Sequence, residues 1–271
     1  MPGPDLALLE RAAAEAGRIA LGFWRGSFRR WEKDAGAGPV TEADLAVNAH
    51  LETVLRGARP DYGWLSEESA DDPARLGAER VFIVDPIDGT RAFIDGHEGF
   101  AVAIAVVERG RPIAGVVHLP ARGVTYAAAV DGPATRDGRV IGPSDAELPG
   151  ATLLTAKATL NPENWREVPP VKREFRPSLA WRLCLVAEGR FDATMTVRPV
   201  WDWDIAAASL IADRAGCAVS DRRGGPLGFN SPAAQSDGMV VAGPRLAGEL
   251  VSRLNVEDGA ALPVPDEGTA Q

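Results

Sequence analysis

The sequence predicts a layered α+β protein, helices packed on sheets around a continuous apolar core. Three observations predict it. Two long segments with an apolar stripe open the chain; a series of short apolar runs separated by Gly/Pro turns follows; beyond the middle, strand-length and helix-length segments alternate. With 271 residues, 45% hydrophobic and 25% charged, the chain can fill one large domain or two half-size ones packed together.

Leu6, Leu9, Ala13, Ala16, Ala20 and Phe23 recur at steps of three and four, one stripe of a helix that Gly26 and Ser27 end. Trp31 to Val40 is polar and Gly-rich and reads as a loop. Thr41 can cap a second helix, Glu42 to about Leu55, which Gly57 to Pro60 breaks. Strand-length runs then follow at Tyr62–Leu65, Val81–Val84, Ala101–Val107, Ile113–Leu119 and Val124–Val130, the last three spaced as antiparallel hairpins. Val81 to Val84 is unbroken, as expected of a strand buried on both faces.

Asp131 to Gly150, rich in Gly, Pro and Asp, marks a boundary between an N-terminal half, 1–140, and a C-terminal half, 141–256. The second half predicts strands at Ala151–Thr155, Asp192–Thr196, Ala218–Asp221 and Met239–Ala242. Its helices are expected at Leu179–Glu188, Ile205–Ala215 and Arg245–Leu254. Residues 257–271 lack periodicity and are expected to be a disordered tail.

Charge and cysteine usage exclude several classes. The 29 basic and 38 acidic residues give a net charge of −9 without any basic stripe, which argues against a nucleic-acid polymer as partner. Two cysteines, Cys184 and Cys217, each in an apolar stretch, exclude a disulfide framework and fit a reducing cytoplasm. The start, Met1 to Asp5, lacks the basic region of a signal peptide, and no apolar run approaches a membrane span.

The most informative segment is Val84-Asp85-Pro86-Ile87-Asp88-Gly89-Thr90. Two carboxylates at the end of a buried strand are costly to ionise and repel each other. A hard divalent cation removes both problems, and oxygen ligands without His or Cys favour Mg²⁺ or Mn²⁺ over zinc. The Ile87 carbonyl could add a ligand, and Gly89 lets a phosphate approach the backbone at a helix start. Alone, Asp-x-x-Asp-Gly is most often a polar turn closing a strand. Its step of three also differs from phosphatases whose nucleophilic aspartate precedes a second by two.

Two further acidic clusters shift the balance. Glu67-Glu68-Ser69 follows a strand, and Asp204 heads the apolar helix in Trp201-Asp202-Trp203-Asp204-Ile205-Ala206-Ala207-Ala208. Their ordinary readings are a solvated acidic loop and a helix N-cap. The Asp202/Asp204 pair also has the spacing seen in metal-dependent glycosyl transferases. Asp44 falls in the first turn of a helix, where an acid suits the helix dipole.

In this order, Pro39–Asp44, Ser66–Ser69, Asp85–Thr90, Cys184–Gly189, Trp203–Ala207 and Gly224–Asn230 together resemble the inositol monophosphatase superfamily of Mg²⁺-dependent, lithium-sensitive phosphatases. The resemblance implies that superfamily's α-β-α-β-α sandwich, the inositol monophosphatase / sugar phosphatase fold. It implies one Mg²⁺ on Glu67, Asp85 and the Ile87 carbonyl, a second on Asp85, Asp88 and Asp204, and a weaker third near Glu67. Thr90, bonded to Asp44, would orient the attacking water, with Glu67 also in the catalytic set. Gly89 and Thr90 would hold the phosphate, beside Asp88 and Ser178. A small phosphorylated metabolite is then the partner, and a homodimer is expected by resemblance.

For the substrate, the inositol enzymes carry an acid seven positions before the second motif's aspartate; here that position is Val197, next to Arg198. Pro177 replaces a glycine of their sugar pocket. Lys33, Asp34, the Pro39–Asp44 run and the Asp88–Ile94 segment resemble bacterial 3′-phosphoadenosine 5′-phosphate phosphatases; Arg91 and Arg198 could hold the second phosphate of such a substrate, their ordinary reading being solvated surface arginines. The nucleotide bisphosphate ranks first, inositol monophosphate second and histidinol phosphate third. A sugar bisphosphatase and a non-catalytic scaffold are the rivals. The latter predicts damage to a ligand set that stands complete here.

Overall fold

The computed structural model describes residues 4–33 and 38–256. Along the chain run α1 (Pro4–Phe23), β1 (Arg30–Glu32), β2 (Pro39–Thr41), α2 (Glu42–Ala58), β3 (Gly63–Ser66), β4 (Arg80–Asp88) and α3 (Thr90–Ile94). Then come β5 (Ala101–Glu108), β6 (Arg111–Leu119), β7 (Val124–Ala129), β8 (Thr135–Arg136) and β9 (Arg139–Val140). The second half holds β10 (Thr152–Leu154), β11 (Lys172–Glu174), α4 (Leu179–Ala187), β12 (Ala193–Thr196) and β13 (Val200–Trp201). It ends with α5 (Asp202–Ala215), β14 (Ala218–Ser220), β15 (Gln235–Ser236), β16 (Met239–Ala242) and α6 (Pro244–Arg253).

Strands β3 to β9 pair in chain order into a seven-stranded sheet, and a second, five-stranded sheet runs β11-β10-β12-β16-β14. The expected hairpins β5-β6-β7 are antiparallel, whereas β3 lies parallel to β4. Alternation along the strands builds the layers. On β5, Val102, Ile104 and Val106 pack with Leu9, Val47 and Leu51 of α1 and α2. The intervening Ala101, Ala103 and Ala105 pack with Leu183 of α4 and Ile205 and Ala208 of α5, in a cluster that continues to Leu154 and Val241 of the second sheet. On that sheet's far face Leu153, Met195 and Val240 meet Leu246 and Leu250 of α6. The order α1/α2, sheet, α4/α5, sheet, α6 is the expected α-β-α-β-α sandwich.

Small residues on the inner face let α5 approach the sheet. A Cβ added at Gly115 of β6 would stand 2.7 Å from the Ala207 carbonyl oxygen of α5. That contact, backbone to backbone, sets the depth at which α5 carries its acidic first turn.

Two local expectations are corrected. The segment read as a loop, 31–40, supplies most of a two-stranded ribbon in which Arg30–Glu32 pairs with Thr41–Pro39; three-residue strands leave no periodicity to read. The Gly/Pro-rich stretch 131–150 also holds the β8–β9 hairpin, which extends the first sheet as far as Val140. Helix α5 starts at Asp202 with Trp201 as N-cap, so Asp204 lies inside the first turn instead of capping it. Asp34 and the 257–271 tail lie outside the described residues. Cys184 and Cys217 are buried free thiols. Among the described residues no helix is long and apolar enough to cross a membrane.

Candidate metal and phosphate site

A bulge in β4 makes the site. Asp85 stands opposite Ala103 and Asp88 opposite Ala101, so β4 spends one more residue than β5 between the two. Without the extra residue, side chains three apart would point to opposite faces. With it, both carboxylates face α4 and α5, while Ile87 points into the core beneath α1 and α2. Gly89 follows with φ of 97°, a left-handed conformation that turns the chain into α3.

The other acids arrive from separate elements. Asp204 comes from the first turn of α5, and carboxylate oxygens of Asp85, Asp88 and Asp204 lie within 4.8 Å of one another. Glu67 follows β3, its N–H bonded to the Val84 carbonyl at 3.2 Å beside Asp85. Asp44 closes a capping box at the start of α2: the Thr41 N–H donates to Oδ2 of Asp44 at 2.9 Å and the Thr41 hydroxyl at 2.5 Å. Thr90 Oγ1 donates to Oδ1 of Asp44 at 3.3 Å, and lies 3.1 Å from the Ile87 carbonyl oxygen as an alternative acceptor.

Burial dominates the electrostatics, and like-charge crowding adds to it. Burial pushes the Asp85 carboxyl well above its ordinary value, and Glu67, Asp88 and Asp204 push it further. Asp204 is raised in the same way, by burial and then by Asp88 and Glu67. Burial lifts Asp88 to about 6, against the opposing hydrogen bonds of Ser178, Ala180 and Leu179. Asp44 reaches about 6, again chiefly through burial, with Thr41 opposing. Burial takes Glu68 to about 7 although Lys33 bonds it.

The donor set fits a hard divalent cation. Oδ1 of Asp85 is buried without a hydrogen-bond partner, and three carboxylates converge with no imidazole or thiolate among them. Residues 4–257 match the model of the inositol monophosphatase family.

This chain belongs to the inositol monophosphatase family.

Its relatives include the 3′(2′),5′-bisphosphate nucleotidase CysQ of Escherichia coli (strain K12), 34% identical over 202 residues, 72% of this chain and 81% of the relative. A histidinol-phosphatase of Mycobacterium tuberculosis is 34% identical over 238 residues, 80% of this chain and 85% of that one. The crystal structure of the suppressor protein suhB from Bartonella henselae superposes with a TM-score of 0.79 at 26% identity, covering 91% of this chain and 96% of that chain. The enzyme class expected from the sequence, a phosphatase, follows from family membership.

Within this inositol monophosphatase-family fold, Ser178 is fully buried as the N-cap of α4. Its hydroxyl donates to Oδ2 of Asp88 at 2.6 Å and accepts from the Trp181 N–H at 3.0 Å. A pocket of about 220 Å³ opens beside Asp204, lined also by Leu179, Thr159, Arg182 and Arg198. Arg198 lines this pocket, whereas Arg91 is exposed on α3 and lies outside that lining.

Two cations at the site were given no site role by the sequence, although Lys33 belongs to the segments that carry the nucleotide-phosphatase resemblance. Lys33 Nζ lies 2.7 Å from both Glu67 and Glu68. Burial disfavours its charge, but the two glutamates outweigh this and hold its pKa above the ordinary value. Arg182 is held by the Arg176 and Pro177 carbonyls, and its guanidinium lies 4.4 Å from the Phe175 ring centroid. Its place one turn after Ser178 was the available signal.

Proposed function

We propose that this protein is a Mg²⁺-dependent phosphomonoesterase whose preferred substrate is a nucleoside 3′(2′),5′-bisphosphate such as 3′-phosphoadenosine 5′-phosphate. The observation that carries the substrate is the pair Arg182 and Arg198 in the pocket beside Asp204. One phosphate held at the acidic centre leaves room for a second anion on these two guanidinium groups.

Asp85, Asp88, Asp204, Glu67 and the Ile87 carbonyl are the residues that would hold two or three Mg²⁺ ions, with Mn²⁺ as substitute. When bound, the ions supply Lewis-acid activation of water and neutralise charge on phosphate and leaving oxygen. The protein's own groups orient and carry protons. Thr90 Oγ1, donating to Asp44, has a lone pair free to accept from the attacking water, so the proton can pass through the hydroxyl to the Asp44 carboxylate. Water oxygen bonds to phosphorus, the bond to the ribose oxygen breaks, and that oxygen leaves with the bonding pair and takes a proton from solvent, while Asp44 returns the proton it received to solvent, so that the protons balance. The Gly89 and Thr90 N–H groups, at the start of α3, support the phosphate oxygens.

Histidinol phosphate is the second reading, favoured by the relative of that activity at equal identity. The two arginines weigh against it, because a cationic amine would meet like charge in the pocket. Inositol monophosphate lacks its acidic partner, since Val197 stands at that position.

Phosphate release from the three substrates, measured side by side with and without Mg²⁺ and then with lithium, tests the proposal. The nucleotide should be hydrolysed fastest, only with Mg²⁺, and with inhibition by lithium. Faster turnover of histidinol phosphate or inositol phosphate would overturn the substrate, and Mg²⁺-independent turnover would overturn the mechanism.

A further inference from the structure

One fully enclosed arginine ties the two halves of the molecule together at the root of α5. Arg75, on the 3-10 turn Pro73–Gly77 between β3 and β4, is 2% exposed. Its Nε and Nη2 donate to the two carboxylate oxygens of Asp71 at 2.5 and 2.9 Å. Its Nη1 crosses to the second half, donating to Oδ1 of Asn230 at 2.7 Å and to the Ser231 carbonyl at 3.1 Å. Asn230 replies: its Nδ2 donates to the Arg75 carbonyl at 3.2 Å.

Asn230 is in turn bound to the first residue of α5. Its backbone N–H donates to Oδ2 of Asp202 at 2.7 Å, a carboxylate with no solvent exposure that also faces the charge of Arg75. The Asp202 N–H donates to the Ala234 carbonyl at 2.8 Å, and β13 pairs with β15 immediately beside it. The stretch 230–236 therefore wraps the start of α5, held at one end by Arg75. Two residues on from Asp202 is Asp204, whose carboxylate accepts from the Trp201 N–H and meets Asp85 and Asp88.

We infer that Arg75, acting through Asn230 and Asp202, is a positioning residue that sets the root of α5 so that Asp204 converges with Asp85 and Asp88 on a shared cation. The inference rests on the metal-site reading above. The physical case is one of commitment. A guanidinium bonded on both edges has a single orientation, and an unsatisfied edge in this enclosed place would be costly. Asn230 carries the same definition onward, because its φ of 60° holds the N–H toward Asp202 while the side chain faces Arg75. Metal ligands depend on the groups that orient them. Removal of such a supporting group typically costs about 10- to 100-fold in metal affinity.

The decisive variant is Asn230→Gly. Glycine accepts the left-handed φ and keeps the N–H to Asp202, but removes both side-chain bonds to Arg75. Arg75→Met breaks the same link from the other side, and Arg245→Met, which breaks the exposed ion pair of Arg245 on α6 with Glu147, serves as control. Mn²⁺ binding to each protein is measured by calorimetry without substrate. Near-ultraviolet circular dichroism reports the Trp201–Trp203 pair, stacked at 4.6 Å across the start of α5.

Asn230→Gly and Arg75→Met should each weaken Mn²⁺ binding about tenfold or more and alter the tryptophan signal, whereas the control does neither. The double variant should lose little beyond either single one, because both break one link. Unchanged affinity in folded Asn230→Gly overturns the inference while leaving the metal site standing. Absence of Mn²⁺ binding in the parent protein overturns the metal-site reading and this inference with it. Should Arg75→Met not fold, Asn230→Gly alone decides.

Discussion

Ser178 and Asp88, 90 residues apart, share a 2.6 Å hydrogen bond in which the Ser178 hydroxyl donates to Oδ2. The N–H groups of Leu179 and Ala180 complete the grip on the same carboxylate at 3.1 and 2.6 Å. Helix α4 thus begins on a carboxylate of the first sheet. Its first amide donors favour the ionised Asp88 that a cation needs.

Ser178→Ala removes this bond together with the α4 N-cap. It should destabilise the protein by about 1–2 kcal/mol in urea unfolding and weaken Mn²⁺ binding in calorimetry. A variant as stable as the parent would show that the two amides suffice.

Asp88→Asn should abolish Mg²⁺-dependent phosphate release while the thermal unfolding of the metal-free protein stays cooperative. The carboxamide keeps the shape and withdraws a charge from a crowded set. Turnover with ordinary Mg²⁺ dependence in this variant would reject the assignment of Asp88 to the cation.

The metal-free protein should become less stable as pH rises from about 4 to about 7. Asp44 and Asp88 stand at about 6 in the fold against ordinary values of 3.8, and Glu68 at about 7 against 4.5. A carboxyl with a raised folded pKa contributes stability that is complete below its unfolded pKa and is lost as pH climbs through the folded one. Asp85 and Asp204, raised further, act in the same direction. Mg²⁺ should flatten this slope at neutral pH, adding about 2.7 kcal/mol when present at 100 times its dissociation constant. Thermal melts across pH with chelator or Mg²⁺ provide the check; a melting temperature that rises with pH under chelator would contradict the crowding.

Gly115→Ala places a methyl against the Ala207 backbone, where nothing flexible can yield. Overpacking of this kind costs about 1–3 kcal/mol. Because the displaced element is α5, Mn²⁺ affinity should fall along with stability, which paired denaturation and calorimetry would show.

Arg182→Met and Arg198→Met should raise KM for the bisphosphate more than for a monophosphate analogue, with the larger effect at Arg182, which is half-buried while Arg198 is exposed. Removing a charge-assisted hydrogen bond to a phosphate costs about 1.5–3 kcal/mol, or roughly ten- to a hundredfold in kcat/KM. Equal losses on both substrates would remove the second-phosphate role.

Much of the site was legible along the chain because its acids occur where elements end. Asp85 and Asp88 terminate an unbroken apolar strand, Glu67 follows another, and Asp44 and Asp204 fall in helix first turns. Periodicity marked those elements, since burying one face leaves a repeat in the sequence. Arg182 escaped because a long basic side chain in isolation reads as solvated surface, and only packing showed what it and Lys33 face.

The amino-acid order alone determined the alternation of helices and strands, the family of the chain and the chemical type of its ligands. All three depend on local pattern, which survives without knowing what packs against what. The tertiary structure decided how the carboxylates meet. The β4 bulge that reverses the direction of Asp88, the Gly115–Ala207 approach that sets α5, and the Arg75–Asn230–Asp202 chain are contacts between distant segments. Their energies arise only when those segments are packed together, so no stretch of sequence carries their signature by itself.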